Sequence, residues 1–159
     1  MENRALNFEV RIAVRDDDIA VAYLRSLWTG VDPDAVFEKR LSDWLVSEGD
    51  RRTTWLAWVG HEAIGMASLF EYRRMPRPGR DDSRWGYLSN MFVRDEFRNQ
   101  GVGSALLSAI VATADERAYA RTVLSPSERA VRFYTRAGFA VPDDPTAGDP
   151  LLVRPAGPT

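Results

Sequence analysis

Residues 94–107 read RDEFRNQGVGSALL and join two stretches of opposite character. The preceding WGYLSNMFV (85–93) is rich in residues that favour β-strands, and the apolar residues that follow recur at helical spacing. Gly101 and Gly103 stand where this helix begins, although glycine destabilises a helix by about 0.5–1 kcal/mol relative to alanine. We therefore expect the bare backbone at this junction to serve a purpose other than helix formation.

The turn between this strand and this helix is a candidate anion site. Backbone N–H groups in a first helical turn have no partner inside the helix, and they lie at the positive end of the helix dipole. Glycine also lets a phosphate approach the backbone closely. Neither common phosphate loop fits, because Ser104 and Ala105 replace the Lys-Ser/Thr of a Walker loop and Leu106 replaces the third small residue of the dinucleotide fingerprint. A turn that binds nothing is the alternative for so short a motif.

The composition bounds the class of protein. The chain has 159 residues, 45% of them hydrophobic, which is enough for one domain with a sizeable core. Its net charge of −2 argues against a general nucleic-acid binder, which would carry a basic surface. The absence of cysteine excludes disulfides and cysteine nucleophiles, and no metal site is expected. The start lacks a signal-peptide pattern and no apolar run approaches about 18 residues, so we expect a cytoplasmic protein that binds neither membrane nor nucleic acid.

The first half of the sequence predicts a strand, two helices and a hairpin. Alternation predicts a first strand with one buried face, formed by Phe8, Val10, Ile12 and Val14. Two helices follow, the first closing at residues 29–31 and the second starting with Asp32 as N-cap and Pro33 in its first turn. Their apolar stripes are Ile19, Ala22, Tyr23 and Leu27, then Val36, Phe37, Leu41, Trp44 and Leu45. Residues 53–72 contain two runs of β-formers split by a Gly-His turn at 60–61, which predicts a hairpin.

The middle of the sequence predicts a loop, a strand, a helix and a further strand. Residues 73–84 hold too much Pro, Gly and Arg for regular structure and predict a long loop. The strand at 85–93 and the glycine turn come next. The helix after the turn is expected to run through about Tyr119, and the short apolar RTVL (121–124) suits a central strand.

The last helix has both ends marked in the sequence. Ser125 as N-cap and Glu128 at the third helical position are typical of a capping box, and Gly138 is the expected terminator. The residues predicted on one face of this helix are Ala130, Phe133, Tyr134 and Ala137. Residues 151–154 suit a last strand, and 155–159 are expected to be a frayed tail.

The order of these elements predicts the fold class. One strand, two helices, three strands, a helix, a strand, a helix and a strand indicate an α/β fold with a mixed sheet and helices on both of its faces. No repeat and no linker divides the sequence. Residues 1–159 are therefore expected to form a single domain.

Three linked stretches carry the signatures of one family. RNQGVG (98–103) matches the pattern R/Q-x-x-G-x-G/A, and NMFVRDEFRNQGVGSALL (90–107) looks like a strand, a turn and a helix around it. SERAVRFYTRAGF (127–139) looks like the pattern N-x-x-A-x-x-x-Y-x-x-x-G-F, except that Ser127 replaces its Asn. In these stretches, and in element order along the whole chain, the sequence resembles the GNAT superfamily of N-acetyltransferases. The resemblance implies a mostly antiparallel, twisted central sheet with splayed parallel strands four and five, and acetyl-CoA as the cofactor.

The resemblance also implies which residues contact acetyl-CoA. In the family the pyrophosphate lies on the backbone of the turn, which here comprises Arg98, Asn99, Gln100, Gly101, Val102, Gly103 and Ser104. The pantetheine arm lies between strands four and five, which places Met91, Phe92 and Val93 beside it, with a backbone N–H there polarising the thioester carbonyl. These three residues equally suit a core. Ser127, where the family usually has Asn, and Phe133 are the remaining expected cofactor contacts.

The family position of the catalytic acid falls on Tyr134. In many members this tyrosine protonates the departing CoA thiolate, and a positioned O–H is a reasonable donor to a thiolate whose conjugate acid has a pKa of about 8.5. The alternative is an ordinary aromatic residue on the buried face of an amphipathic helix.

The general base is less well marked. Some members use a glutamate on strand four, but this strand carries no carboxylate here. We expect Glu71, at the end of strand three, to act as the base, with Asp81, Asp82 or a chain of water molecules as alternatives. His61 is the only histidine in the sequence, but its place at a hairpin tip argues against a catalytic role.

The acceptor pocket of the family is walled by the first two helices and the face of strand four. The residues that this implies as substrate contacts are Trp28, Asp32, Tyr87 and Asn90. Trp28 also fits the role of a cap over the core. The arginine-rich loop at 73–84 is interpreted as solvated rather than as an anion clamp, since two aspartates offset part of its charge.

The sequence therefore predicts an acetyl-CoA-dependent N-acetyltransferase that transfers an acetyl group to a primary amine of a small molecule or protein by direct attack on the thioester. The alternative is a catalytically weak acyl-CoA sensor of the same fold, which the missing strand-four carboxylate favours. A different nucleotide-phosphate enzyme is disfavoured by the missing Walker lysine. Dimers are common in the family, so a homodimer is among the expected states.

Overall fold

The computed structural model describes residues 5–142 and 151–157, and in this part of the chain it contains six strands and four α-helices. The strands are β1 (Glu9–Ile12), β2 (Arg52–Val59), β3 (Glu62–Arg73), β4 (Arg84–Val93), β5 (Arg121–Leu124) and β6 (Leu152–Pro155). The helices are α1 (Asp18–Thr29), α2 (Ala35–Glu48), α3 (Val102–Glu116) and α4 (Val131–Arg136). The predicted hairpin, the strand before the glycine turn and the strand at 121–124 are confirmed. None of the helices in the described residues is long and apolar enough to cross a membrane.

The strands form one mixed sheet in the order β1-β2-β3-β4-β5-β6, which confirms the predicted fold class. Strands β1 and β2 pair antiparallel, as do β5 and β6, whereas β4 and β5 pair parallel. The parallel pairing is short. It joins Gly86 to Thr122 and Tyr87 to Val123, and β4 runs on to Val93.

Two compact units share these elements. The first comprises Met1–Ser68 and Asn90–Ala109, and the second Leu69–Ser89 and Ile110–Thr159. A buried apolar cluster forms the core of the first unit: Val21, Leu24, Leu56, Trp58, Ala63, Met66 and Phe92. The prediction of a single domain over residues 1–159 stays a prediction.

The predicted buried face of the first strand is wrong at its end. Phe8 and Val10 are half-buried, but Ile12 and Val14 are 50% and 64% exposed. Strand β1 is the edge strand next to β2, so it has a neighbour on one side only. Alternation marks a strand correctly here, but it does not guarantee that the apolar side is covered.

Helix α1 has the predicted extent and ends at Gly30, but its buried face differs from the predicted one. Ile19, Tyr23 and Leu27 are exposed, and the buried residues are Val21, Ala22, Leu24 and Ser26. The helix has apolar residues on two overlapping stripes. The sequence pattern alone could not decide which of them faces the core.

Helix α2 begins two residues later than predicted. Asp34, and not Asp32, is its N-cap, because the Asp34 carboxylate accepts a hydrogen bond of 2.7 Å from the backbone N–H of Phe37. In the predicted stripe Phe37, Leu41 and Leu45 are half-buried, while Val36 and Trp44 are exposed. Asp32 therefore remains in the loop between α1 and α2.

The predicted capping box before the last helix is not formed. A 3-10 turn at Glu128–Ala130 precedes α4, and its N-cap is Ser127, which has an extended backbone and makes no side-chain cap bond. Ser125 thus lies too far from the helix to cap it. The helix ends as expected at Gly138, where φ is 95°.

Two ends near the C-terminus also differ from expectation. Helix α3 ends at Glu116, before the predicted Tyr119, and the left-handed Ala118 follows. The predicted last strand is confirmed as β6, and its last residue, Pro155, is the first of the predicted tail. The Gly157 N–H bonds to the Asp115 carboxylate. Residues 158–159 lie outside the described residues.

Candidate active site

The glycine turn after β4 has an unusual backbone. Asn99 and Gly101 both have positive φ angles, of 61° and 89°. Glycine adopts this region freely, and asparagine is among the residues that tolerate it best. Left-handed residues alternating with ordinary ones turn successive N–H groups towards one side, an arrangement that binds anions. The sequence indicated an unusual backbone at Gly101, and the structure shows a positive φ angle at Asn99 as well.

The first turn of α3 leaves its N–H groups available. The bond that closes the helix runs from the Ala105 N–H to the Gly101 carbonyl, at 3.0 Å. The N–H groups of Val102, Gly103 and Ser104 come before it and have no acceptor within the helix. Gly101 and Ser104 are exposed, whereas the Val102 side chain is buried. The turn is thus anchored on one side and open on the other.

Gly65 on β3 allows the close approach that anchors this turn. A Cβ at Gly65 would lie 3.2 Å from the Phe92 carbonyl oxygen and 3.3 Å from the side chains of Val102 and Leu106. These distances are tighter than ordinary van der Waals contacts. A larger residue at this position would therefore push the start of α3 away from β3 and β4.

Two long side chains of the turn, Arg98 and Gln100, are held by the segment that precedes it. The Arg98 guanidinium donates to the Val93 carbonyl oxygen at 3.1 Å and pairs with Asp95 at 2.9 Å. The Gln100 side-chain amide donates to the Glu96 carbonyl oxygen at 3.2 Å. The backbone of the turn, rather than these side chains, is therefore the part left free to contact a ligand.

Strand β4 has a left-handed residue in its interior. Asn90 has φ of 57°, and its side-chain amide donates to the Ser68 hydroxyl at 3.1 Å. A residue of this conformation inside a strand marks a bulge, which interrupts the regular ladder of backbone hydrogen bonds. Sequence reasoning missed the bulge. The available signal was an asparagine, which is rare in strands but tolerant of positive φ, in the middle of a β-rich run.

Two of the predicted site residues stack on each other beside this bulge. The Trp28 and Phe92 rings have centroids 5.6 Å apart and planes 10° apart. Phe92 is buried, but Trp28 remains 41% exposed. Trp28 therefore both covers the core and presents part of its indole to solvent. Met91 and Val93, on either side of Phe92, are half-buried.

A cavity of about 250 Å³ lies in the first unit, between α1, α2 and strands β2 to β4. Asn90 belongs to its wall, as predicted for a substrate contact. Trp28 and Asp32 do not, and Asp32 is exposed in the loop before α2. Tyr87 is half-buried on β4, where it pairs with Val123 in the second unit.

Tyr134 lies in α4 and is buried among other aromatic residues. Its ring makes edge contacts with Phe133 and Phe139, at centroid distances of 5.0 and 5.9 Å. Burial raises the pKa of Tyr134 to about 12, so its hydroxyl stays protonated at neutral pH. No hydrogen bond within residues 5–142 and 151–157 uses this hydroxyl. The hydroxyl is not one of the fully buried side-chain atoms that lack a partner, so a ligand can reach it. Ser127, at the start of the turn before α4, is exposed.

Glu71, the expected base, is instead held in a network of hydrogen bonds and ion pairs in the second unit. The carboxylate accepts hydrogen bonds from Arg73 at 2.7 Å, from the Tyr119 hydroxyl at 2.8 Å and from Arg84 at 3.2 Å. Only 4% of the residue is exposed. These contacts indicate a structural carboxylate, and they do not support the expectation that Glu71 takes a proton from the acceptor.

The pKa of Glu71 also indicates a structural carboxylate rather than a general base. Burial is the largest single influence and by itself would raise the pKa. The hydrogen bonds from Arg73 and Tyr119, with the charges of Arg84 and Arg73, outweigh it, and the pKa is lowered below its ordinary value of 4.5. A carboxylate with a lowered pKa is a weaker base. The other candidates, Asp81, Asp82 and His61, are all exposed in loops.

We expect Glu71→Gln to act on stability rather than on catalysis. Losing the charge at this buried site should cost about 2 kcal/mol at pH 7 and lower the melting temperature by about 5 °C. A carboxylate with a lowered folded-state pKa stabilises the protein above its unfolded pKa, and this contribution is lost as pH falls through the folded value. Thermal unfolding of both proteins should therefore differ at pH 7 and converge below the ordinary pKa of 4.5.

The same variant separates the two roles of Glu71. An unchanged melting temperature, combined with a large fall in turnover and a shifted acid limb of the pH–rate profile, would restore Glu71 as the base. Tyr119→Phe is the matched variant, because it removes one of the three donors to the same carboxylate. It should lower the melting temperature by a smaller amount and leave turnover unchanged.

Comparison with known proteins identifies the family. The model of the acetyltransferase (GNAT) family matches residues 17–139, which is well over half of the chain. The chain belongs to the GNAT acetyltransferase family. The family model covers the glycine turn, β4 and α4, the elements that carry the resemblance in the sequence. No curated protein was found to match the sequence.

Solved structures similar to this GNAT chain share its fold at low sequence identity. A structure described as a predicted acetyltransferase with acetyl-CoA from Clostridium acetobutylicum has a TM-score of 0.71 and 22% identity, over 87% of this chain and 93% of its own. A GCN5-related N-acetyltransferase from Ralstonia eutropha JMP134 has a TM-score of 0.66 and 24% identity, over 89% and 100%. Glucosamine-6-phosphate N-acetyltransferase from Arabidopsis thaliana has a TM-score of 0.69 and 14% identity, over 90% and 98%.

Proposed function

We propose that this protein transfers the acetyl group of acetyl-CoA to a primary amine by direct attack of the amine on the thioester. The observation that carries this proposal is the turn at residues 98–104, with its left-handed Asn99 and Gly101 and its unpaired N–H groups, in a chain of the GNAT acetyltransferase family. Family membership supplies the class of reaction. The turn supplies a site suited to the phosphates of the cofactor.

The residues of the turn fit acetyl-CoA through their backbone. The N–H groups of Asn99 through Ser104 would hold the pyrophosphate, while Arg98 ties the turn to the end of β4 and Gln100 ties it to Glu96. When bound, acetyl-CoA supplies the acetyl thioester. The left-handed Asn90 departs from regular strand geometry just before Met91, Phe92 and Val93. We assign polarisation of the thioester carbonyl to a backbone N–H of one of these three residues.

Tyr134 is the proposed proton donor to the departing thiolate. Its hydroxyl has no hydrogen-bond partner within the described residues, and burial keeps it protonated, so it can donate a hydrogen bond to the thiolate as the carbon–sulfur bond breaks. Ser127 and Phe133 are the other proposed contacts of the cofactor, and Phe133 fixes the Tyr134 ring by edge contact. We assign removal of the acceptor's proton to solvent, because the Glu71 carboxylate already accepts three hydrogen bonds and its pKa is lowered.

A second candidate is a catalytically weak acyl-CoA sensor of the same fold. One observation favours it: β4 carries no carboxylate, and the carboxylate expected to replace it, Glu71, is held in a structural network. Both candidates require cofactor binding at the turn. They differ in whether any amine is acetylated.

Two measurements on the same protein test the proposal. Calorimetry with acetyl-CoA should give binding, and the release of free CoA thiol in the presence of primary amines should exceed the rate without an amine. Binding with no release above background for any amine would establish the sensor instead. Absence of binding would overturn both candidates.

A further inference from the structure

The cavity in the first unit has an apolar body. It is lined mainly by Val21, Phe37, Leu41, Trp44, Leu45 and Met66. Its volume of about 250 Å³ is below the range of about 300–1,000 Å³ that is typical of sites for drug-sized ligands. An occupant is therefore small, and the part of it that enters the cavity is apolar.

The charged residues in the wall of this cavity are both arginines. Among the residues that the structure describes, Arg25 and Arg52 belong to the wall and no aspartate or glutamate does. Arg52 is neutralised by Glu48, which it contacts at 2.8 Å, and it donates to the Ser68 hydroxyl at 3.0 Å. Its guanidinium also lies 4.8 Å from the centre of the Trp44 ring. Arg52 is thus part of a neutral, internally satisfied group.

Arg25 differs from Arg52 in having no acidic partner in the described part of the chain. Its guanidinium carbon lies 4.7 Å from the centre of the Trp28 ring, and the residue is exposed. No ion pair in the described residues involves Arg25. Stacking on an indole holds a guanidinium in place without neutralising it. The cavity therefore carries one uncompensated positive charge at α1.

We propose that the acceptor is a small primary amine with an apolar body and a carboxylate group, of the kind found in a hydrophobic amino acid. Its apolar part fills the cavity, and its carboxylate pairs with Arg25, whose planar guanidinium suits two-pronged recognition of a carboxylate. The inference rests on the proposed acetyltransferase function. Polyamines and other acceptors with several ammonium groups are disfavoured, because the wall offers no carboxylate to receive them.

Three amines of known chemistry test this class of acceptor. Phenylalanine carries an apolar ring and a carboxylate, phenethylamine has the same ring without the carboxylate, and spermidine has several positive charges and no ring. Binding of each is measured by calorimetry on the protein alone, and kcat/KM from release of CoA thiol. Phenylalanine should exceed phenethylamine by about tenfold or more in both measurements, and spermidine should be the poorest of the three.

Variants of Arg25 decide whether the carboxylate is responsible. Arg25→Gln should lower the affinity for phenylalanine by about tenfold while leaving phenethylamine unchanged, and Arg25→Glu should reverse the order of phenylalanine and spermidine. Arg40→Gln is the matched control, since Arg40 is an exposed arginine on α2 outside the cavity wall. It should change none of the three affinities.

The outcomes for the acceptor class and for the proposed function are separate. Equal binding of phenylalanine and phenethylamine, preference for spermidine, or an unchanged preference in Arg25→Gln would each overturn the inference, as would no binding of any amine. Failure of acetyl-CoA to bind would overturn the proposed function instead. The calorimetric preference among the amines is measured without acetyl-CoA, so it decides the acceptor class in either case.

Discussion

Replacing Gly101 by aspartate is expected to lower the affinity for acetyl-CoA by at least about 100-fold. The change puts a carboxylate among the N–H groups proposed to hold the pyrophosphate. Two like unit charges about 5 Å apart repel by about 3 kcal/mol at the effective dielectric constant of a protein surface, which alone exceeds a factor of 100. Calorimetry with acetyl-CoA at low salt measures the loss directly.

Two control variants separate the effect of the added negative charge from the effects of side-chain size and of position. In Gly101→Asn the new side chain is as large as aspartate and sits on the same positive-φ backbone, but it is uncharged. A Cβ at this position would meet no atom within 4 Å, so this variant should lower the affinity for acetyl-CoA by about tenfold at most. Gly79→Asp introduces the same charge at another glycine of positive φ, 73°, in the loop before β4, and should leave affinity unchanged. Equal losses in Gly101→Asp and Gly101→Asn would attribute the effect to the backbone. Normal affinity in Gly101→Asp would remove the turn as the phosphate site.

The sequence predicted the fold best where chain-local chemistry decides the structure. Gly30 and Gly138 end helices where expected, and the hairpin turns at residues 60–61. The strand, glycine turn and helix at 84–116 also form as expected, because β-formers, bare backbone and helical periodicity follow one another there. In such segments a few neighbouring residues determine the backbone. The order of the elements then limits the fold to a mixed sheet.

The errors concern choices between near-equal local alternatives. Asp32 and Asp34 are both acceptable N-caps, and in the structure Asp34 is the one that accepts the bond from the Phe37 N–H. Ser125 and Ser127 are likewise both acceptable N-caps before α4, and Ser127 takes that position in the structure. Helix α1 offers two overlapping apolar stripes, and only the position of β2 and β3 decides which is buried. Propensity and periodicity carry no information on such long-range contacts.

The candidate site was predictable in its backbone and less so in its side chains. The turn proposed to hold the phosphates was indicated by glycine spacing, which is a local property. The three donors to Glu71 could not be predicted in this way, because Arg84 and Tyr119 lie far along the sequence. The bulge at Asn90 and the unpaired charge of Arg25 likewise depend on what neighbouring strands and helices bring near them. A residue's chemistry can be read from its type, but its availability depends on its partners.

Tyr134→Phe is expected to lower kcat by about 100-fold or more and to leave the affinity for acetyl-CoA nearly unchanged. The substitution removes only the hydroxyl, and the ring contacts with Phe133 and Phe139 remain. Because no hydrogen bond in the described residues uses this hydroxyl, its loss should not lower the melting temperature. The pKa of about 12 also predicts that no loss of activity from ionisation of Tyr134 appears below about pH 11. Steady-state rates, calorimetry and thermal unfolding measure the three effects.

Tyr72→Phe is the matched control for this experiment. It deletes the hydroxyl of an exposed tyrosine in the same unit, whose ring packs on Trp85 at 4.8 Å, and it should change neither rate nor affinity. Equal turnover in Tyr134→Phe and the wild type would exclude Tyr134 as the proton donor and leave it as a buried aromatic residue. A fall in acetyl-CoA affinity that matches the fall in kcat/KM would indicate that the hydroxyl binds the cofactor without donating a proton. Only a fall in kcat at unchanged affinity and melting temperature assigns the acid to Tyr134, because the remaining roles of the residue act through binding or folding.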